Sequence, residues 1–216
     1  SMIRRLSAAA PDAVRALALR LTVALALLPG AAFLSAHADT QAQPTQAQPQ
    51  TQTQAARKHM VAAANPLAAR AGLAMLRRGG SAADAAIATQ LVLTLVEPQS
   101  SGIGGGAFVL YFDPATGGTS AYDGRETAPK AARPDRFLDA AGQPMGRREA
   151  ILSGRSVGVP GVPALLWQLH KDHGKLPWAD LFTPAIALAE RGFPVSPRLH
   201  MLIAQNKALA TMPATK

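Results

Sequence analysis

Residues 97–129 read EPQSSGIGGGAFVLYFDPATGGTSAYDGRETAP, and the fold is decided there. The segment divides into a glycine-rich loop, an apolar run (AFVLYF, 107–112), a turn (DPATGG, 113–118), a second short run (TSAY, 119–122) and a lone arginine, Arg125. AFVLYF is apolar at both parities, a pattern that predicts a strand covered on both faces. In the turn a proline fixes φ and two glycines accept positive φ, so residues 119–122 are expected to return antiparallel as a hairpin. Arg125 then stands at the rim of a sheet, where a planar guanidinium matches a carboxylate through two parallel hydrogen bonds.

Upstream, Asn65 and Pro66 form a cap and first-turn pair for a helix that ends on Arg77 and Arg78, with Gly79 and Gly80 beyond it. Ser81 caps a second helix, with Asp84 in the place of a capping-box acid. This helix is rich in alanine and so suited to close packing on a sheet. Downstream come a polar segment around residues 134–148 and a glycine-proline loop. Three short helices follow: 163–173, stopped by Gly174; 177–190, broken at Thr183-Pro184; and one begun by Ser196-Pro197. The chain has no internal repeat.

With 216 residues, 48% of them hydrophobic, the chain is long enough for one domain with its own core. Its net charge of +9 raises the question of a nucleic-acid or membrane partner. Residues 1–38 hold four arginines against Asp12, and without them 18 basic residues face 12 acidic ones, a net +6 with no basic run. No nucleic-acid partner is expected. Residues 1–38 carry a basic start, an apolar stretch over 21–34 and Ala36-His37-Ala38 as a small-x-small site, the pattern of an export signal cleaved before Asp39. The apolar stretch is shorter than the ~20 residues that span a bilayer, so no stable membrane anchor is expected. Residues 39–56 are almost entirely Gln, Thr, Pro and Ala, a composition that predicts a disordered leader. The zero cysteine count excludes disulfides, thiolate nucleophiles and cysteine zinc sites. The expected organisation is an export signal (1–38), a leader (39–56) and a folded part (57–216), in a periplasmic or secreted protein.

Three motifs compete for chemistry with Arg125. Residues 102–107 fit G-x-G-x-x-A, with Asp123 downstream in place of a ribose-binding acid, but the dinucleotide fingerprint needs a strand before the glycines and a helix after them. The order here is reversed. Gly154-Arg155-Ser156-Val157-Gly158 fits a nucleophile elbow, followed by Asp180 and His200 in hydrolase order. Pro160 and Pro163 fall where the elbow's helix needs N–H groups, so that helix cannot start at Ser156. His170 and His173 stand three apart on a helix and are able to face one metal, but no clear third ligand accompanies them. No cofactor and no metal are expected.

The segments HMVAAANPLAARAGLAMLRRGGSAADAA (59–86), EPQSSGIGGGAFVLYFD (97–113), DGRETAPKAA (123–132) and SVGVPGV (156–162), in this order, strongly resemble the gamma-glutamyltranspeptidase family of N-terminal nucleophile hydrolases. The resemblance implies an α/β fold, the four-layer α/β/β/α sandwich, of which residues 57–216 make the N-terminal part of the large subunit. It further implies a precursor that cuts itself, and a small subunit whose N-terminal threonine is the nucleophile, beyond Lys216. Catalytic residues are thus expected outside this chain, and Thr40, on the leader, is rejected as a substitute. The implied reaction transfers the γ-glutamyl group of glutathione or a related donor to water, an amino acid or a peptide. The family's R-E-x-A-P arginine holds the donor's α-carboxylate, and Arg125, Glu126, Ala128 and Pro129 match that motif. Two other readings stand beside it: a β-lactam (cephalosporin-type) acylase of the same superfamily, and a truncated, non-catalytic periplasmic protein.

Overall fold

Asn65 starts the first helix, α1 (Pro66–Arg77), by accepting the Leu67 N–H on its side chain at 2.9 Å, with Pro66 in the first turn. The computed structural model describes residues 5–7 and 55–215. Helix α2 (Ala82–Val96) opens on the capping box read from the sequence: the Asp84 N–H donates to Ser81 Oγ at 3.1 Å, and the Ser81 N–H to Asp84 Oδ2 at 2.8 Å. The two helices cross closely at Gly72. A Cβ there would strike Thr89 Oγ1 and stand 2.9 Å from the Ala85 carbonyl.

The hairpin forms as the turn chemistry predicts. Strands β2 (Ala107–Asp113) and β3 (Gly118–Gly124) pair antiparallel from Asp113 opposite Gly118 to Ala107 opposite Gly124. Strand β1 (Arg5–Ser7) adds to the other edge of β3, with Leu6 opposite Ala121. The rest of the predicted export signal and almost all of the leader lie outside the described residues.

Helices cover one face of the sheet. Val109, Tyr111 and Tyr122 pack with Ile87 and Leu91 of α2 and with Leu165, Leu166 and Leu169 of α4 (Val162–His173). On the other face Phe108, Leu110 and Phe112 are 67%, 77% and 60% exposed. The expectation that both faces of β2 are buried is therefore corrected. Side chains alternate across a strand, and among the described residues only one face has a layer over it.

Beyond the hairpin, where a polar segment around 134–148 and a glycine-proline loop were expected, a short helix, α3 (Arg147–Leu152), and a 3-10 turn, Gly154–Ser156, run on from the end of the polar segment. The break at Thr183-Pro184 is real: a 3-10 turn, Trp178–Phe182, gives way to α5 (Thr183–Arg191). Helix α6 (Pro197–Gln205) begins where Ser196 Oγ accepts the Leu199 N–H. Asp84, fully buried, joins α2 to the loop after α4. Its Oδ2 also accepts the Lys175 and Leu176 N–H groups, at 2.9 and 3.1 Å. A carboxylate at that depth is tolerated only when hydrogen bonds replace water.

Candidate functional site

Arg125 is the first residue past the last β2–β3 pair, and its backbone is held from three directions. Its N–H donates to Asp123 Oδ1 at 2.9 Å, a local turn that directs the chain out of the sheet. Two residues on, Thr127 and Val159 exchange backbone hydrogen bonds of 3.3 and 2.8 Å, so SVGVPGV braces the segment from outside. From below, Gly161 at the start of α4 packs on the Gly124 and Arg125 carbonyls, so closely that a Cβ on Gly161 would stand 2.8 Å from Arg125 O. Gly124 in turn lies on Leu165 of α4, where a Cβ would approach the Leu165 Cβ to 2.6 Å.

The glycine-rich loop joins the same knot. The Gly105 carbonyl accepts the N–H groups of both Gly161 and Val162, at 3.0 and 3.2 Å, and Gly106 lies against Glu126. These glycines admit backbone to backbone; they do not cradle a nucleotide. Helix α2 precedes the loop and β2 follows it, the reverse of the dinucleotide arrangement.

The side chain of Arg125 is loose by comparison. It is 63% exposed and meets Glu126 Oε1 at 3.5 Å, a surface pair of small energetic weight. A rigid backbone carrying a projecting guanidinium is suited to grip an incoming carboxylate. Glu126, matched in the sequence only as a member of the motif, was given no role of its own. Its Oε2 is buried and has no hydrogen-bond partner among the described residues. The signal was its place beside Arg125 in the motif, but burial of one carboxylate oxygen is invisible in sequence.

Two clefts adjoin this point. One, of about 480 Å³, is lined by Gln90, Ser100, Ser101, the loop glycines and Val162. The other, of about 240 Å³, is lined by Glu126, Ala128, Arg155, Ser156 and Val157. A larger cleft of about 730 Å³ lies over residues 131–155. Its arginines mostly brace loops: Arg155 donates to the Arg136 and Leu138 carbonyls, and Arg133 pairs with Asp135 at 3.2 Å.

The competing constellations do not assemble. Ser156 lies in the 3-10 turn and its hydroxyl is directed to the Ile151 and Ser153 carbonyls, while Asp180 pairs with Arg78 at 2.5 Å. Neither makes a hydrogen bond with His200 among the described residues. The two helix histidines have separate partners: His170 Nε2 faces the Leu176 carbonyl at 2.8 Å, and His173 stacks on Tyr111 and reaches the Tyr122 hydroxyl at 2.8 Å. Among the described residues no three His, Asp or Glu side chains are grouped to hold a metal.

The arrangement matches solved structures. Against the gamma-glutamyltranspeptidase of Helicobacter pylori the TM-score is 0.70 at 32% identity, over 76% of this chain and 47% of that one. Against the cephalosporin acylase of Bacillus halodurans it is 0.54 at 34% identity, over 76% and 31%. A helix-backed antiparallel sheet with its rim arginine is thus the N-terminal portion of an N-terminal nucleophile hydrolase α/β sandwich. A glutathione hydrolase proenzyme of Bacillus subtilis (strain 168) is 38% identical over 196 residues, 91% of this chain and 33% of the relative. Residues 68–216 match the family Gamma-glutamyltranspeptidase, and the chain belongs to it. It covers between about a fifth and a third of the length of the curated relatives it matches.

Proposed function

We propose that this chain supplies the carboxylate clamp of a γ-glutamyl-transferring enzyme that uses glutathione or a related γ-glutamyl amide as donor. The observation that carries the reading is Arg125: backbone locked, guanidinium projecting, in the motif where the family binds the donor's α-carboxylate. Fixing that end of the donor orients its γ-carbonyl, and orientation alone is worth several kcal/mol of barrier, roughly 7–11 in the best intramolecular cases.

The nucleophile is a threonine on the small subunit released by self-cleavage, with its own α-amine as base. The threonine oxygen adds to the γ-carbonyl, the donor's amine leaves with a proton, and a γ-glutamyl ester remains. Water or an amino acid then takes the acyl group and restores the threonine. Arg125 holds the same carboxylate through both halves. The processed enzyme acts in the periplasm or outside the cell, a placement supported by the basic, apolar and small-x-small pattern of residues 1–38.

The test is turnover of a chromogenic γ-glutamyl anilide. The complete, processed enzyme is expected to release the anilide, and the 216-residue chain alone to be inert. Activity of the chain alone that disappears with Ser156→Ala would return the chemistry to the serine.

A second reading, a β-lactam acylase, is supported by the likeness to the Bacillus halodurans enzyme. The ratio of kcat/KM for a γ-glutamyl anilide and for an acylated cephalosporin separates the two.

A further inference from the structure

The glycine-rich loop is fastened at its ends and bare in its middle. A Cβ built on Gly104 or Gly105 meets nothing within 4 Å, so no side chain packs on the loop between the turn that begins it and the Gly105 carbonyl that ends it. Glycine loses more conformational freedom on ordering than any other residue, so such a loop stays in place only as firmly as its ends are held. The far end is the Gly105–Gly106 contact with α4 and Glu126 described above.

The near end is the turn 97–101. The Glu97 carbonyl accepts the Ser100 and Ser101 N–H groups at 3.0 and 2.9 Å, and Gln90 Nε2 donates to Ser101 Oγ at 2.9 Å. Those bonds are local. One contact comes from a hundred residues away: Arg198, the second residue of α6, donates Nη1 to Glu97 Oε2 at 3.0 Å and Nη2 to Ser100 Oγ at 3.3 Å. The Glu97 side chain is only 4% exposed, and its Oε2 also accepts Gln99 Nε2 at 2.5 Å. A carboxylate so deep requires a partner, unlike the exposed pairs elsewhere on this surface. Arg198 is itself set by the Ser196 cap and by Pro197 in the first turn of α6.

We propose that Arg198 is a positioning residue for the carboxylate site. Its fork spans Glu97 and Ser100, holds the turn from which the glycine-rich loop departs, and through Gly105 and Gly106 steadies the backbone of Arg125. The link to Arg125 function rests on the γ-glutamyl reading above; the hold on the loop does not.

Two measurements test it, one with and one without a donor. Hydrogen exchange on the 216-residue chain is expected to show residues 101–106 exchanging about tenfold faster in Arg198→Met, with α1 unchanged. Arg198→Lys, which keeps the charge beside Glu97 but cannot span both acceptors, is expected to fall between, and it carries the test if Arg198→Met loosens the whole fold. Unchanged loop exchange in both variants overturns the proposal. In the complete enzyme, Arg198→Met is expected to lower kcat/KM for a γ-glutamyl donor about tenfold, mainly through KM, and the double variant with Arg125→Ala to be no worse than Arg125→Ala alone. Additive losses would place Arg198 off the path to Arg125 and overturn the proposal. Faster loop exchange beside a wild-type enzyme that turns over no γ-glutamyl donor would support the hold on the loop and remove the γ-glutamyl reading instead.

Discussion

Glu126 puts a carboxylate oxygen where a Cβ on residue 106 would have to stand. The same Cβ would lie 2.7 Å from the Glu126 backbone nitrogen and 2.8 Å from Arg125 Cα. Residue 106 is therefore confined to glycine by the segment Arg125-Glu126, which passes directly over it.

Gly106→Ala is expected to destabilise the chain by about 1–3 kcal/mol, the usual cost of overpacking a site whose backbone cannot retreat. Gly104→Ala, with open space around it, is expected to stay within about 1 kcal/mol of wild type. Urea midpoints of the two variants give the comparison. Adding Glu126→Ala to Gly106→Ala should recover only part of the loss, because backbone atoms also crowd the position. Equal midpoints for the two single variants would dissolve the packing argument.

Asp84 anchors three backbone N–H groups, those of Ser81, Lys175 and Leu176. Asp84→Ala removes the acceptor of all three, leaving the Ser81 N–H stranded in the interior and those of Lys175 and Leu176 part-buried, and is expected to cost about 3 kcal/mol or more. Asp180→Ala breaks an ion pair whose side chains are 46% and 39% exposed, and is expected to cost under about 1 kcal/mol. Denaturation of the two variants in parallel decides it; similar losses would mean that burial is not what makes Asp84 matter.

The bare sheet face should behave as an unpaired surface. Phe108, Leu110 and Phe112 together make an apolar patch of the kind that seeks cover. The chain on its own is expected to self-associate in sedimentation runs, and Leu110→Lys to shift it toward monomer. In the complete enzyme, if another layer covers this face, the same change is expected instead to cost stability. A wild-type chain that stays monomeric at high concentration would count against an interface there.

Local chemistry was legible in the sequence, and what depends on distant partners was not. Asn65-Pro66, Ser81 with Asp84, the DPATGG turn and the break at Thr183-Pro184 each act within a few residues, and each sits where it was read. The doubly apolar AFVLYF was read as buried on both sides from residue type alone; among the described residues only the Val109 and Tyr111 face is covered, and Phe108, Leu110 and Phe112 are exposed. Arg125 was singled out through its motif, since a lone arginine after a strand carries no signal by itself. Glu126 and Gly161 were seen only as members of their motifs and Arg198 was passed over, because their importance comes from contacts with residues far along the chain or from backbone packing that a residue type does not announce. Helix α3 was missed because RREAIL sits in a polar stretch with no capping side chain to mark its start.

The central claim is that Arg125 grips the donor's α-carboxylate with a bidentate fork, and kinetics of the complete, processed enzyme test it most directly. Arg125→Ala and Arg125→Lys are compared on a γ-glutamyl donor and on an analogue lacking the α-carboxylate. Lysine supplies a charge without the fork, so both variants are expected to lose on the order of a hundredfold in kcat/KM on the full donor, in line with a cost of ~2–5 kcal/mol for breaking a desolvated charge pair, and to match wild type on the analogue. Equal losses on both donors would contradict the claim and make Arg125 a structural residue; wild-type rates in either variant on the full donor would remove it from the site.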